Sequence, residues 1–373
     1  MTPLGVYVHW PYCARLCPYC DFNIYRNRAI DAARWRAALI GDLGHWARRT
    51  KGRPLTSLYF GGGTPSLAPV SVIEGVIEAC AELWGFEDGA EITLEANPTD
   101  AAQSRLEDFR RAGVNRLSLG VQSFDDAALK FLGRDHGGEA ARAAVALAGR
   151  IFPRLTFDLI YALPGETPAA WRRALGAALA LGPRHLSLYQ LTIEKGTAFA
   201  KAVARGVFAP PTDDLAADLF DLTQEMTQAA GLEAYEVSNH AAPGEESRHN
   251  RLYWTGGDYI GVGPGAHGRV TEGARLATET PALPEAYLAA VEKTGCGAAM
   301  TAPLDGEAAF AERLAMGLRL AEGICLETED WRRLAPRLAP LEADGLVARR
   351  GERLMATPGG RRVLNAVLAA LIC

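Results

Sequence analysis

The sequence predicts an α/β fold, an incomplete (β/α)6 barrel of parallel strands followed by a small winged-helix-like C-terminal unit. Two observations predict it. From residue 4 to 192, short β-rich runs alternate with longer amphipathic stretches, the pattern of a parallel sheet with right-handed crossovers. The cysteine, glycine-rich and polar motifs fall at the carboxyl ends of those runs, where β/α barrels build their sites. An open doubly wound sheet is the rival fold, but its first βα turn would carry a Gly-rich phosphate fingerprint, and here that turn carries cysteines.

The expected strands are Gly5–His9, Ser57–Phe60, Glu91–Glu95, Arg116–Gly120, Leu155–Tyr161 and His185–Leu191. Between them lie helical patterns at Ala32–Arg49, Val70–Trp84, Ala101–Ala112, Glu139–Arg150 and Pro168–Leu181. Six such units fall short of the eight of a full barrel. After Thr192 the alternation stops, and residues 193–300 hold a long helix candidate, Asp213–Ala230, and a Gly-rich stretch from Gly256 to Gly268. From about 305 a helical module leads into a helix, a Gly-containing turn and two short strands joined at Gly351, the outline of a winged helix. The expected organisation is therefore a barrel over 1–192, a barrel extension over 193–300 and a winged-helix-like domain over 301–373.

With 373 residues, 49% of them hydrophobic, the chain can bury one large core and a smaller one. Its net charge of −5 gives no overall cationic field for nucleic acid or an anionic membrane. No basic stretch followed by an apolar segment marks an export signal, and the apolar tail Val363–Cys373 is far shorter than the ~20 residues a membrane span needs. A reducing, cytoplasmic compartment is the expectation.

The cysteines sharpen this. Cys13, Cys17 and Cys20 form a C-x3-C-x2-C triad just after the first strand, whereas Cys80, Cys296, Cys325 and Cys373 are scattered singly and read as packing or surface residues. Three soft thiolates suit an iron–sulfur cluster. Three cysteines for four irons leave one iron open to a small molecule. Zinc prefers four closed ligands, and no second Cys pair exists; a disulfide framework suits a short secreted chain.

This triad, with Tyr19 before its third cysteine, resembles that of the radical S-adenosylmethionine (SAM) enzymes. The longer string Tyr7-Val-His-Trp-Pro-Tyr-Cys13 resembles the branch that holds oxygen-independent coproporphyrinogen III oxidase. The resemblance implies a 4Fe–4S cluster whose open iron is chelated by SAM, and one-electron cleavage of SAM to a deoxyadenosyl radical. It also implies a flavodoxin- or ferredoxin-type electron donor. The triple glycine of Phe60-Gly-Gly-Gly-Thr-Pro65, alone no more than a turn, resembles the motif that holds the SAM amino group, so Gly62, Gly63 and Thr64 are carried over. Glu95, Gln122, Arg134 and Asp158 follow on successive units, and Asp158 interrupts an apolar strand where an unpaired carboxylate would be costly. In the family these positions contact two SAM molecules: Tyr7 and Glu95 would serve the first, and Tyr19, Gln122, Arg134 and Asp158 the second.

The chain departs from the oxidase at position 22, where Phe22 stands in place of a further cysteine, and it reaches Tyr7 without the oxidase's N-terminal extension. His249-Asn250-Arg-Leu-Tyr253-Trp254 matches the H-N-x-x-Y-W string of relatives regarded as heme chaperones, the HemW group. Imidazole is a common heme ligand and aromatic rings pack on porphyrin faces, so His249, Asn250, Tyr253 and Trp254 become candidate heme contacts. Taken alone, one histidine beside aromatics is more often a packed core residue. The resemblance implies a heme chaperone that hands heme to an acceptor protein, with membrane contact only through that acceptor. The rival readings are radical decarboxylation of coproporphyrinogen III and DNA-binding regulation. The latter rests on eight arginines against three acids over residues 331–373.

Overall fold

The computed structural model describes residues 2–26 and 29–372; Cys373 lies outside them. Six parallel strands form in the expected order: β1 (Leu4–Trp10), β2 (Leu55–Gly62), β3 (Phe86–Ala96), β4 (Arg116–Gln122), β5 (Arg154–Tyr161) and β6 (His185–Gln190). The crossovers are α1 (Ala32–Arg49), α2 (Val70–Leu83), α3 (Gln103–Arg111), α4 (Asp126–Phe131) with α5 (Gly138–Ile151), and α6 (Pro168–Leu179). Their sequence periodicity explains their placement. Trp35, Leu39, Leu43 and Trp46 recur at helical spacing and bury one face of α1, and Val72, Ile73, Val76, Ile77 and Cys80 do the same for α2. Asp31 caps α1 by accepting from the Arg34 backbone N–H at 3.0 Å. The strands read as near-continuous apolar runs because both faces are covered.

Residues 193–300 do not form a separate layer. They supply α7 (Ala198–Ala204), α8 (Asp213–Ala229), β7 (Glu233–Ala234), β8 (Asn239–Ala241), α9 (Arg248–Trp254), β9 (Asp258–Val262), β10 (His267–Glu272), β11 (Ala274–Glu279) and α10 (Pro284–Thr294). With β12 (Met300–Pro303) these strands extend the one sheet at both edges, in the order β12-β11-β10-β9-β1-β2-β3-β4-β5-β6-β8-β7. β9 pairs parallel with β1, Leu4 opposite Asp258, and so adds a seventh parallel strand to the six expected. A single core reaches from Leu4 to Val291 across both stretches. Because Met300–Pro303 belongs to the large sheet, the C-terminal unit starts after it rather than at 301.

That unit comprises α11 (Gly306–Gly317), β13 (Ile324–Cys325), α12 (Thr328–Ala343), β14 (Val347–Arg350), β15 (Arg353–Ala356), α13 (Pro358–Arg362) and α14 (Leu364–Ile372), with its own core from Phe310 to Leu371. Its sheet is β13-β15-β14, a helix-and-wing arrangement as expected. Its arginines work within the protein: Arg333 pairs with Glu307, Arg362 with Asp221 and Arg353 with Glu322, while Arg349 lies over Trp331 and Arg361 donates to the Glu236 carbonyl. A charge excess used for internal docking gives the DNA-binding reading no exposed cationic face from these residues.

Candidate functional site

The carboxyl ends of β1 to β6 surround one pocket of about 390 Å³. It brings together eleven of the residues singled out from the sequence: Cys13, Cys17, Tyr19, Cys20, Gly62, Gly63, Thr64, Glu95, Gln122, Arg134 and Asp158. Tyr7 is not among its walls. Its side chain lies beneath the pocket, with the hydroxyl 3.1 Å from His9 Nδ1.

The cysteine loop is held by its neighbours. His9 Nε2 lies 2.9 Å from the Asn23 carbonyl oxygen, and Asn23 Nδ2 donates to the carbonyls of Pro264 and Ala282, so the loop is tied to β1 and to the segment after β9. The Gly-rich turn after β2 presses against the same loop. Gly62 takes φ 102 beside the His9 ring, and the Gly63 N–H donates to the Trp10 carbonyl at 2.6 Å. A Cβ at Gly63 would stand 2.7 Å from the Tyr12 carbonyl oxygen, so only glycine allows this approach. The Thr64 hydroxyl then donates to Cys13 Sγ at 3.3 Å.

Six cysteines among the described residues are free thiols. Burial pushes Cys13 upward and Cys20 up to about 11, so without iron these groups are protonated near neutral pH. Among the described residues no group of three His, Cys, Asp or Glu converges tightly enough to grip a single metal ion. A cluster makes no such demand, because each iron takes its own thiolate. The donor set therefore fits a cluster and does not fit a closed zinc site.

Across the pocket from the cysteines, β4 ends irregularly. The pairing of β4 with β5 slips between Leu119 and Gln122, and Gln122 sits at φ 68, a left-handed conformation that side chains rarely adopt. Its Oε1 is buried without a partner. Arg134 donates to Cys17 Sγ at 3.4 Å, to the Gly120 carbonyl at 2.8 Å and to Asn97, while its Nε is also unpartnered. Orphaned polar atoms and a strained residue aimed into one pocket are what a polar ligand would satisfy. Glu95 accepts from the Tyr59 hydroxyl at 2.7 Å. Burial, with Asp158 nearby, raises the Glu95 carboxyl to about 7, and burial raises Asp158 to about 6. Two carboxyls that are costly to ionise alone suit a cationic ligand.

Sequence reasoning missed Asn97, Ser118 and Tyr189, which complete these walls, and Tyr59, which supports Glu95 from beneath. Ser118, Gly120 and Gln122 alternate along β4 and share its inner face, so strand period was the signal available. Phe22, 62% exposed, stands at the rim.

The H-N-x-x-Y-W string lies elsewhere. It forms α9, whose His249 packs against Ser57 near the start of β2, at the opposite end of the barrel from Gly62–Thr64. His249 is 1% exposed, its Nδ1 is 2.8 Å from Ser57 Oγ and its Nε2 is 2.7 Å from the Tyr253 hydroxyl. In this arrangement both ring nitrogens of His249 are engaged by hydroxyls, one of them using its lone pair as a hydrogen-bond acceptor. Asn250 donates to the Tyr235 hydroxyl at 3.3 Å, and the Tyr253 ring packs edge-on against Tyr259. Trp254 lies beneath Arg319 of the C-terminal unit, 4.5 Å from the ring centre, and is used in docking the two units. Of the four, His249 is buried, and Asn250, Tyr253 and Trp254 are half-buried.

With this geometry in view, the likeness to known proteins can be weighed. A family model described as the radical SAM superfamily matches residues 7–177, and one described as the HemN C-terminal domain matches 304–363. The chain is 39% identical to the mitochondrial radical S-adenosyl methionine domain-containing protein 1 of Bos taurus, over 99% of this chain and 87% of that one. It is 36% identical to the heme chaperone HemW of Mycobacterium tuberculosis, over 99% and 95%, and 38% identical to that of Escherichia coli, over 77% and 76%. Among solved structures, coproporphyrinogen III oxidase (HemN) from Escherichia coli, a radical SAM enzyme, superposes with a TM-score of 0.83 at 24% identity, covering 99% of this chain and 90% of that one.

Proposed function

The chain belongs to the radical SAM superfamily, in the family that holds the HemW heme chaperones, and from that premise we propose that it binds heme and delivers it to an acceptor protein. The observation that carries this reading is likeness along the whole chain: 36% identity over 95% of a protein named a heme chaperone, against 24% to the oxidase, a level that speaks for shared fold alone. The exposed Phe22 supports it, because a phenyl ring at the pocket rim supplies neither a thiol nor a proton donor there.

A 4Fe–4S cluster and SAM are the cofactors of this superfamily, and the cluster supplies a single electron when bound and reduced. Cys13, Cys17 and Cys20 would hold it, with Thr64 and Arg134 donating to the sulfurs of Cys13 and Cys17. Gly62, Gly63 and Thr64 would carry the SAM amino group, Glu95 the first molecule, and Gln122, Arg134, Asp158 and Tyr19 a second. The free thiols fit a reducing cytoplasmic compartment. No helix among the described residues is long and apolar enough to cross a membrane, so membrane contact through the acceptor is part of the same reading. A flavodoxin- or ferredoxin-type carrier is the matching electron donor.

The test is anaerobic reconstitution followed by parallel assays. Uptake of heme with a Soret band and no loss of coproporphyrinogen III is expected. Steady decarboxylation of coproporphyrinogen III would overturn the reading in favour of the oxidase.

A further inference from the structure

The segment that carries the H-N-x-x-Y-W string closes the floor of the barrel, and its contacts run upward into the cofactor pocket. Glu91 in β3 fixes it in place. One carboxylate oxygen accepts from the Ser247 hydroxyl at 3.0 Å and from the His249 backbone N–H at 3.2 Å; the other meets Arg116 at 3.5 Å and Arg154 at 2.9 Å. The two arginines reach on to the carbonyls of Glu245 and Glu246, so the loop leading into α9 is clamped at successive residues. Such a buried ionic clamp fixes position rather than adding much stability.

So held, the His249 ring stacks on Tyr59 with centroids 4.9 Å apart and planes 22° apart, and on Tyr7 at 6.4 Å and 27°. Two routes leave from there. Tyr59 donates to Glu95 Oε1 at 2.7 Å. The Tyr7 hydroxyl meets His9 Nδ1, and His9 Nε2 meets the Asn23 carbonyl, three residues beyond Cys20. The Tyr59 ring is packed between Tyr7, at 6.2 Å and 26°, and His249. A rotation of that ring would remove one of the two hydrogen bonds that hold the Glu95 carboxylate, the other coming from the Gly62 N–H.

We propose that His249 and Tyr253 are positioning residues for S-adenosylmethionine: they fix the Tyr59 ring and through it the Glu95 carboxylate, and they do not ligate heme iron. This rests on the reading that Glu95 contacts S-adenosylmethionine. Burial holds the His249 imidazole neutral, with its pKa lowered to about 3, so the Ser57–His249–Tyr253 bonds persist across the neutral range. Tyr59, Asp158, Tyr7, Tyr253 and Cys13 face Glu95 along with the Gly62 N–H, and the bonds from Tyr59 and Gly62 are the influences holding the Glu95 pKa down. Loosening Tyr59 therefore moves the pH at which Glu95 ionises upward.

The test uses the full chain, reconstituted anaerobically. S-adenosylmethionine affinity is measured by equilibrium dialysis from pH 6 to pH 8.5, with iron content and heme uptake read on the same preparations. His249→Phe keeps an aromatic ring for stacking and removes both hydrogen bonds. It should weaken S-adenosylmethionine about tenfold, the factor that ~1.4 kcal/mol represents. It should also shift the pH midpoint of binding upward and leave iron content and the Soret band as in the wild type. Tyr253→Phe should give a smaller loss in the same direction, and it carries the test should His249→Phe not fold. Combined with Tyr59→Phe, His249→Phe should add little further loss, because both act through one hydroxyl. Independent, additive losses, an unmoved pH midpoint, or a His249→Phe protein that loses its Soret band while binding S-adenosylmethionine normally would each overturn the proposal. Glu95→Ala separates the two layers: if it leaves affinity unchanged the site reading fails, whereas if it weakens binding and His249→Phe and Tyr253→Phe do not, the positioning role fails.

Discussion

The two mouths of this barrel are built from the same strands and have opposite character. At the carboxyl end the backbone is strained at Gln122, polar atoms of Gln122 and Arg134 lack partners, three thiols stand free and an apolar ring at Phe22 faces solvent. At the amino end Glu91 is enclosed by Arg116, Arg154 and Ser247, and His249 has both nitrogens bonded. The floor keeps unpartnered atoms too, Arg116 Nη2 and Trp254 Nε1 among them, so what sets the open end apart is that its unpartnered atoms share one pocket with free thiols and a strained backbone. The motif most suggestive of heme lies at the other end, where its histidine is already hydrogen-bonded. A histidine's neighbours decide what it can do more than the string it sits in.

The sharpest way to break this contrast is at the thiols. Cys17→Ala should abolish a four-iron electronic spectrum after reconstitution, because it removes one of only three soft ligands, whereas Cys80→Ala should leave that spectrum intact. Cys80 is fully buried in the core below α2, so its loss should register in thermal unfolding instead. A Cys17→Ala protein with normal iron content would sink the cluster assignment.

At the floor the expected currency is stability. Glu91→Ala leaves Arg116 and Arg154 buried without their shared carboxylate, which should cost about 3–5 kcal/mol in denaturant unfolding. Glu95→Ala, at the open end, should cost far less stability and instead weaken S-adenosylmethionine by roughly tenfold to a hundredfold, the worth of a lost hydrogen bond to a charged group. Gln122→Ala should behave likewise. If Glu91→Ala unfolds no more easily than Glu95→Ala, the division between scaffold and site is wrong.

Much of the open end was legible because its chemistry is local. The C-x3-C-x2-C spacing, the triple glycine and single polar residues at strand ends each announce themselves within a few positions. The sheet edges were less legible: pairing of β9 with β1 joins residues some two hundred and fifty apart, and no local pattern at Asp258–Val262 says which strand it will meet. The contacts of the floor were hidden for a related reason. His249 meets Ser57 across 192 residues of chain, so the string showed side-chain types but not that both nitrogens were already engaged. Tyr59 was passed over because it lies inside an apolar run, Leu58-Tyr59-Phe60, where an aromatic is ordinarily core.

The smallest effect in this comparison is also the one that separates the two ends most cleanly, because it asks which end titrates. Glu95, at about 7, and Asp158, at about 6, both lie in the open pocket and both have carboxyls raised by burial. S-adenosylmethionine carries a net positive charge from its sulfonium, so it favours the ionised carboxylates. Its affinity should therefore rise as pH increases through about 6 to 7 and level off above, by at most about tenfold per pH unit for each ionising group. Without ligand the sign is reversed for stability: the folded state holds protons that the unfolded chain releases above its ordinary carboxyl range. The share of the ligand-free protein's stability that comes from these two carboxyls should then fall as pH rises toward 7, by up to about 1.4 kcal/mol per unit and per group, and no further above it. Glu95→Gln should flatten the affinity curve and remove its falling share from the stability curve, and Asp158→Asn should do the same over the lower part of the range. The floor contributes nothing to the affinity slope, since burial keeps His249 neutral down to about 3, but in stability it opposes the carboxyls: the unfolded imidazole takes up a proton below its ordinary range and the folded one does not, so its share rises with pH up to about 6.5 and is level above. Dialysis and chemical unfolding at pH 5.5, 6.5, 7.5 and 8.5 read both curves. Affinity that is flat with pH in the wild type, or an affinity slope that survives in the Glu95→Gln, Asp158→Asn double variant, would show that the carboxyls at the open end do not meet the ligand's charge.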